Sequence, residues 1–312
     1  MSLVQSLLLP IVAGNCFAMI AVAYRLGEPR GLAPKSLLGM CGLFGALIFA
    51  PLAWAQVSSW SDVPAQVWVL GVVSGLCQVG CVALVQWALS VGPLSPVWCV
   101  VSLAFVPAMA FSGLFLSEPL GLAKYLSLAA GAACVIVASN KPSAPPAAAG
   151  PGPSRLLYLG ALAGMFLLNA VLTIGQSVLG HQYAPAQQAL LDQGLRAKSV
   201  IDQYGHLYLF VMYASLGAGV GAMLWFQRQP VGSRLGLLLL GLLVAAGSTG
   251  GLGILNACMT GGSAMVFAVS GISQILAVAV ISVAFFREKP TPSWCATILL
   301  GVLAVVLGQV NF

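Results

Sequence analysis

Neutral polar side chains sit inside long apolar runs of this chain, and they are the residues equipped to do chemistry. Asn15, Gln78, Gln86, Asn169, Gln176, Asn256 and Gln274 carry amides, and Thr173, Ser248, Ser263 and Ser270 carry hydroxyls. An amide both donates and accepts hydrogen bonds. A set of them can hold a neutral or zwitterionic solute without any permanent charge. The acidic residues Glu28, Asp62, Glu118, Asp192, Asp202 and Glu288 all fall in or beside loops. An ionisable group inside a membrane marks a proton or cation path at a cost of about 2.5–3.5 kcal/mol, and no such group is expected here.

Position sharpens the reading. Asn169 follows Asn15 by 154 residues, while Gln78 and Ser248, and Gln86 and Asn256, are 170 apart. On one run Asn169, Thr173 and Gln176 fall within about 60° of a helical face, and Ser263, Phe267, Ser270 and Gln274 share a similar arc on another. The expected substrate-binding set is Asn15, Gln78, Gln86, Asn169, Ser248, Asn256, Ser270 and Gln274 as hydrogen-bond partners, with Met19 and Phe267 as apolar walls. Polar residues in membrane helices also tie neighbouring helices together, at roughly 0.6 kcal/mol each. Trp87 is expected to anchor its helix end at the membrane interface.

The runs that carry these residues set the architecture. The chain has 312 residues, 60% hydrophobic and 6% charged. Soluble domains carry about a quarter charged residues. Ten runs are long enough to cross a bilayer, which takes roughly 20 apolar residues as a helix. They lie at about 3–24, 37–55, 67–89, 94–116, 120–139, 156–179, 208–226, 235–256, 263–286 and 294–310. They are continuous rather than alternating, so helices are expected and not a barrel. The first run lacks a basic flank and exceeds a signal-peptide core in length, so it is expected to remain as a helix.

The second half echoes the first at an offset of 170: Gly71 with Gly241, Gly80 with Gly250, Gly92 with Gly262, Ser112 with Ser282, Gly131 with Gly301. Residues 140–154 contain five prolines and read as an extended linker. Five spans on each side of it turn the second repeat upside down relative to the first. The expected fold is therefore an all-α membrane protein, with ten transmembrane helices in two inverted five-helix repeats, residues 1–139 and 155–312. The 16-residue difference between the two offsets falls between His181 and His206, where Pro185 is placed to start a short interfacial helix.

Charge and cysteine add exclusions. Nine Lys and Arg residues follow spans one, five, seven and nine, against three elsewhere, which puts those loops in the cytoplasm and both termini outside. The net charge of +6 comes from scattered residues, with no patch for nucleic acid. All eight cysteines lie in apolar runs; Cys77 and Cys81 share a face without a His or carboxylate nearby, so they read as packing residues rather than metal ligands. No phosphate-binding loop is present, and the two histidines, His181 and His206, share one loop. The chain is therefore expected not to be an enzyme and to need no cofactor. Its expected partners are a small-molecule substrate and the lipid bilayer, as a monomer or homodimer.

Two motifs carry a resemblance. Ala88-Leu89-Ser90-Val91-Gly92-Pro93-Leu94-Ser95-Pro96, with Phe105-Val106-Pro107 and Phe115-Leu116-Ser117-Glu118-Pro119-Leu120, resembles the third-to-fifth helix pattern of EamA-like members of the drug/metabolite transporter superfamily. Gly262-Ser263-Ala264-Met265-Val266-Phe267 and Phe286-Arg287-Glu288-Lys289-Pro290 are similar to the same pattern in the second repeat. The resemblance implies ten helices around a central cavity and ATP-independent transport of small metabolites, amino acids or drugs. It also implies cytoplasmic termini, opposite to the charge count, and a structural role for Glu118 and Glu288. The small multidrug relatives place a carboxylate in the helix where this chain has Asn15, which speaks against proton-coupled export of cationic drugs. The expected function is secondary transport of a small polar metabolite by alternating access, in a bacterial inner membrane. A flippase for a lipid-linked substrate and a non-transporting scaffold are the alternatives.

Overall fold

The computed structural model describes residues 8–116, 121–139, 154–183, 185–193, 198–227, 233–258 and 263–309. These residues are almost entirely helical and form no strand, apart from one isolated bridge between Tyr183 and Ser199. The helices are α1 (Leu9–Gly27), α2 (Pro34–Gln56), α3 (Ala65–Val91), α4 (Leu94–Ser102), α5 (Phe105–Phe115), α6 (Leu122–Ala138), α7 (Arg155–His181), α8 (Pro185–Asp192), α9 (Val200–Gln227), α10 (Arg234–Cys258), α11 (Ser263–Ala284) and α12 (Pro292–Gln309). Seven helical stretches are long and apolar enough to cross a membrane: α1, α2, α3, α4 with α5, α7, α9 and α10. Three shorter apolar stretches, Leu122–Ala138, Val269–Ala284 and Pro292–Gly308, accompany them. Large apolar side chains cover the outside, among them Leu47, Trp54, Leu239, Trp225 and Phe226. So apolar an exterior suits lipid and not water. The chain is a multi-pass α-helical membrane protein.

The helix ends follow familiar local rules. Proline opens α2 at Pro34 and α12 at Pro292, where its missing N–H has no intrahelical partner to lose. Ser154 caps α7 by accepting from Leu157 N–H at 3.3 Å. Gly31, with φ +68°, supplies the left-handed turn after the 3₁₀ segment Glu28–Arg30. Helix α9 starts eight residues before the expected span. Asp202 accepts from both the N–H and the hydroxyl of Ser199, at 3.1 and 2.8 Å, and this capping recruits the polar stretch from 200 to 207. Tyr204 marks a kink within it (φ −132°, ψ 17°). The short helix expected at Pro185 is α8.

The fourth expected span is broken. Pro107 has no N–H to give Leu103, and its ring would clash with that carbonyl in a continuous helix. The chain instead turns at Leu103 and Ala104, whose N–H groups reach back three residues to Val100 and Val101. Ser102 Oγ donates to Trp98 O at 2.8 Å, which further loosens the last turn of α4.

Helix α2 packs most extensively on α9, α1 on α10, α6 on α12, and α3 on α7 and α9. Within the α2–α9 pair, Gly39 meets Val220, Gly42 meets Gly217, Gly45 meets Tyr213, and Gln56 binds Asp202 and His206. Contacts step forward along α2 and backward along α9, so the two run antiparallel. The same holds for α6 and α12, where Ser127 bonds Ala304, Cys134 bonds Thr297, and Ser293 bonds Val137.

Glu288 joins the end of one half to the middle of the other. Its carboxylate accepts from Leu94 N–H at 2.8 Å and from Ser95 Oγ at 3.1 Å, satisfying the otherwise orphaned start of α4. Glu288→Ala is expected to lower stability by about 1–2 kcal/mol, the usual worth of a helix cap. Glu288→Gln keeps an acceptor and should lose less. Thermal unfolding of the purified protein in detergent checks the order. Equal loss in both variants would show that charge, not the hydrogen bonds, matters. Glu118, its expected counterpart, lies outside the described residues.

Candidate functional site

A cavity of about 170 Å³ lies inside the bundle. Helices from both sides of residues 140–153 wall it: α1, α2, α3 and α4–α5 on one side, and α7, α9, α10 and α11 on the other. Its apolar wall is rich in rings, with Phe17, Tyr24, Trp98, Phe105, Tyr213 and Phe267. Its polar wall is neutral: Gln78, Asn169, Gln176, Ser248, Ser270 and Gln274. No charged side chain is among the lining residues.

The broken span is part of the wall. Val101, Ser102, Ala104 and Phe105, which flank the break, all line the cavity. Asn169 Nδ2 donates to Val101 O at 2.8 Å, and Gln78 Nε2 donates to Asn169 Oδ1, also at 2.8 Å. One asparagine thus joins α3, α4 and α7 where the backbone ladder is interrupted. On the facing wall Tyr213 OH and Ser248 Oγ share a hydrogen bond of 2.7 Å. Tyr213 is held in place by stacking on Phe49, with centroids 5.7 Å apart, and Phe49 stacks in turn on His206. The Tyr24 and Trp98 rings meet edge to face at 5.9 Å.

Of the ten residues singled out in the sequence, Gln78, Asn169, Ser248, Phe267, Ser270 and Gln274 line this cavity. Asn15, Met19, Gln86 and Asn256 do not. Asn15 faces the exterior, and its Nδ2 donates to Ile11 O at 2.8 Å and to Ser273 Oγ at 3.0 Å. It is a strut between α1 and α11. Asn169 is a strut between α7 and α4, and it borders the cavity. Met19 is exposed on the outer face of α1. Gln86 Oε1 is buried without a partner among the described residues. Asn256 accepts from Gln176 Nε2 at 2.9 Å just beyond the lining. The side chain of Ser263, on the predicted polar arc of α11, lies outside the described ones.

The rings were less visible in the sequence than the amides. Phe17 and Tyr24 share a turn pattern with lipid-facing neighbours, and only packing tells which side of α1 points inward. Trp87, expected as an interfacial anchor, rests on Tyr158 with ring centroids 6.1 Å apart. The exposed Trp54, Trp60 and Trp68, grouped at 5.4 and 6.3 Å, occupy the kind of helix-end position such anchors take. No described side chain of α8 lines the cavity.

No protein-family model matches the chain, and no curated protein matches it. A solved structure, described only as the crystal structure of a protein, superposes on it with TM-score 0.63. That alignment covers 98% of this chain and 95% of the other, at 15% identity. The likeness extends over the whole fold.

Proposed function

We propose that the chain is a secondary transporter of a small, neutral, polar metabolite, an EamA-like carrier built from two inverted five-helix repeats. The observation that carries this reading is the uncharged cavity of rings and amides, walled by both halves and bordered by a broken span. Transporters hold their substrates where discontinuous helices meet at the repeat interface.

The packing pattern supports the repeat. Exchanging α1, α2, α3, α4–α5 and α6 for α7, α9, α10, α11 and α12 leaves the main helix pairs unchanged: α1 with α10 becomes α7 with α3, and α3 with α9 becomes α10 with α2. The self-paired equivalents, α2 with α9 and α6 with α12, run antiparallel, as inversion requires. In this reading α4 with α5, α6, α11 and α12 complete ten crossings. The Glu288 cap joins the loop after the ninth crossing to the one after the third, and inversion puts both on one side of the membrane. Rocking of the halves about the Gln78–Asn169 strut would open the cavity to each side in turn, with no ATP hydrolysed. A bacterial inner membrane suits the charge distribution of the loops.

The test is counterflow in proteoliposomes loaded with labelled neutral amino acids, nucleosides and small amides. The wild type is expected to move at least one of them faster than protein-free vesicles. The combined Gln78→Ala, Asn169→Ala and Gln274→Ala variant is expected to lower that flux at least tenfold, and Asn15→Ala to leave it within twofold. Flux unchanged in the triple variant would sink the site; no flux of any solute would sink the carrier.

A further inference from the structure

Gln176 and Asn256 form a pair of carboxamides at one end of the cavity, and the pair is incomplete. Gln176 Nε2 donates to Asn256 Oδ1 at 2.9 Å. Gln176 Oε1 and Asn256 Nδ2 are each buried with no partner among the described residues. Gln176 is 0% exposed to the outside and lines the cavity. Buried polar atoms are nearly always paired, and leaving one unpaired costs about 1–3 kcal/mol. Here one acceptor and one donor stand unpaired on two side chains already bonded to each other. Turning both carboxamides over leaves the same remainder, one donor and one acceptor, so the inference does not depend on which way each amide is drawn.

A glycine faces the donor on the neighbouring helix. On α9 the residue beside Asn256 is Gly205, and a Cβ there would come 3.4 Å from Asn256 Nδ2. Leu172, Thr173, Leu252 and Leu255 are also in the cavity wall.

We infer that this pair is a subsite for a neutral group that offers an N–H donor and a C=O acceptor side by side, that is, a primary carboxamide, lactam or imide edge. The ligand N–H donates to Gln176 Oε1, and its carbonyl accepts from Asn256 Nδ2. A carboxylate at neutral pH has no proton for Gln176 Oε1 and meets no cation in the wall. A ketone satisfies the Asn256 donor and leaves Gln176 unpaired. The unpartnered indole N–H of Trp98 belongs to another part of the cavity. Val101 and Asn169 are bonded, Trp98 lies one turn before the former, and Gln176 lies two turns after the latter on a parallel helix. At 1.5 Å per residue the separation along the bundle is about 15 Å. That is too far for one compact solute to bridge, and a cavity of about 170 Å³ takes a solute near the size of benzene.

The inference rests on the transport reading only in taking the cavity for a solute site. The test is therefore direct binding, by calorimetry, to the full-length protein in lipid nanodiscs. Three probes share one ring: benzamide, acetophenone and benzoate. Benzamide is expected to bind at least tenfold more tightly than acetophenone, and benzoate most weakly. Gln176→Met and, separately, Asn256→Leu are expected to remove the preference for benzamide while acetophenone still binds, which shows that the variant has folded. Equal affinity of the wild type for benzamide and acetophenone would overturn the amide subsite and leave the cavity as a solute site. So would a preference that survives both substitutions. Failure of all three probes to bind, with labelled solutes still crossing proteoliposomes, would overturn the subsite and spare the carrier. Failure of both binding and flux would remove the carrier as well.

Discussion

Replacing Asn169 with Leu is expected to cut transport at least tenfold, the equivalent of about 1.4 kcal/mol or more in the barrier, while costing only about 1–3 kcal/mol of stability. The asymmetry follows from where the residue sits. Its Oδ1 accepts from Gln78 and its Nδ2 donates to Val101 O, beside the break between α4 and α5. Leucine strands Gln78 Nε2 and leaves Val101 O with the Ala104 N–H alone. The cavity adjoins them, so water can replace part of what is lost, and the fold survives. Water cannot replace a fixed strut between α3, α4 and α7, and the cavity wall loses its geometry. Asn15→Leu supplies the comparison. It also removes an inter-helix strut, to Ser273 on α11, but on the outer face. A similar stability loss with unchanged flux is expected there. If the two variants lowered flux equally, the strut would matter only for folding. Thermal unfolding and proteoliposome flux on the same preparations separate the outcomes.

The amide pattern was legible because polarity is conspicuous in an apolar run. Asn169, Gln78, Ser270 and Gln274 announce themselves, and their helical spacing puts them on inward faces. The sequence could not tell Asn15 from Asn169. Both occupy matched places on leading helices and both tie one half to the fourth helix of the other. Only the relative rotation of α1 and α7 decides which borders a cavity. The break at Leu103 was foreshadowed by Pro107, yet Pro51 lies within a helix that continues through it. A proline marks where a helix can break; the neighbours that satisfy the freed carbonyl decide whether it does. At Leu103, whose carbonyl Pro107 frees, that neighbour is the Val106 N–H at 2.9 Å, and Asn169 adds its bond to Val101 O beside the break. The start of α9 was missed because Asp202 and Gln203 interrupt the apolar pattern, while the Ser199–Asp202 cap that sustains the helix depends on side-chain geometry. Apart from Phe267, the rings of the wall were unreadable for another reason. In a membrane protein an apolar face looks the same whether it meets lipid or a cavity, so hydrophobicity carries no inward direction.

Glycine marks the inward direction better, and a large stability effect is expected at Gly42. A Cβ added there would stand 2.5 Å from Gly217 N, 2.6 Å from Gly217 Cα and 3.1 Å from Tyr213 O. All three are backbone atoms, which cannot rotate aside as a side chain can. Close approach of this kind lets two helices associate in lipid by dispersion, where no hydrophobic drive favours one apolar neighbour over another. Gly42→Ala is expected to cost more than about 2 kcal/mol, in the range of an overpacked core, and Gly42→Leu to prevent recovery of folded protein. Gly221, one turn after Gly217 on α9, has nothing within 4 Å of its added Cβ among the described residues. Gly221→Ala should therefore stabilise slightly, by up to about 1 kcal/mol, since alanine is the better helix former. The consequence extends to the cavity. Tyr213 lies against Gly45 one turn along α2, stacks on Phe49, and holds Ser248 through its hydroxyl. A methyl at Gly42 pushes α9 away from α2 and carries Tyr213 with it, so the Gly42→Ala protein that does fold is expected to show weakened solute binding. Thermal unfolding ranks Gly42→Ala, wild type and Gly221→Ala, and the yield of folded protein reads out Gly42→Leu. An order in which Gly42→Ala and Gly221→Ala behave alike would mean that α2 and α9 are not in backbone contact, and the antiparallel crossing that the proposed inverted arrangement needs would fall with it.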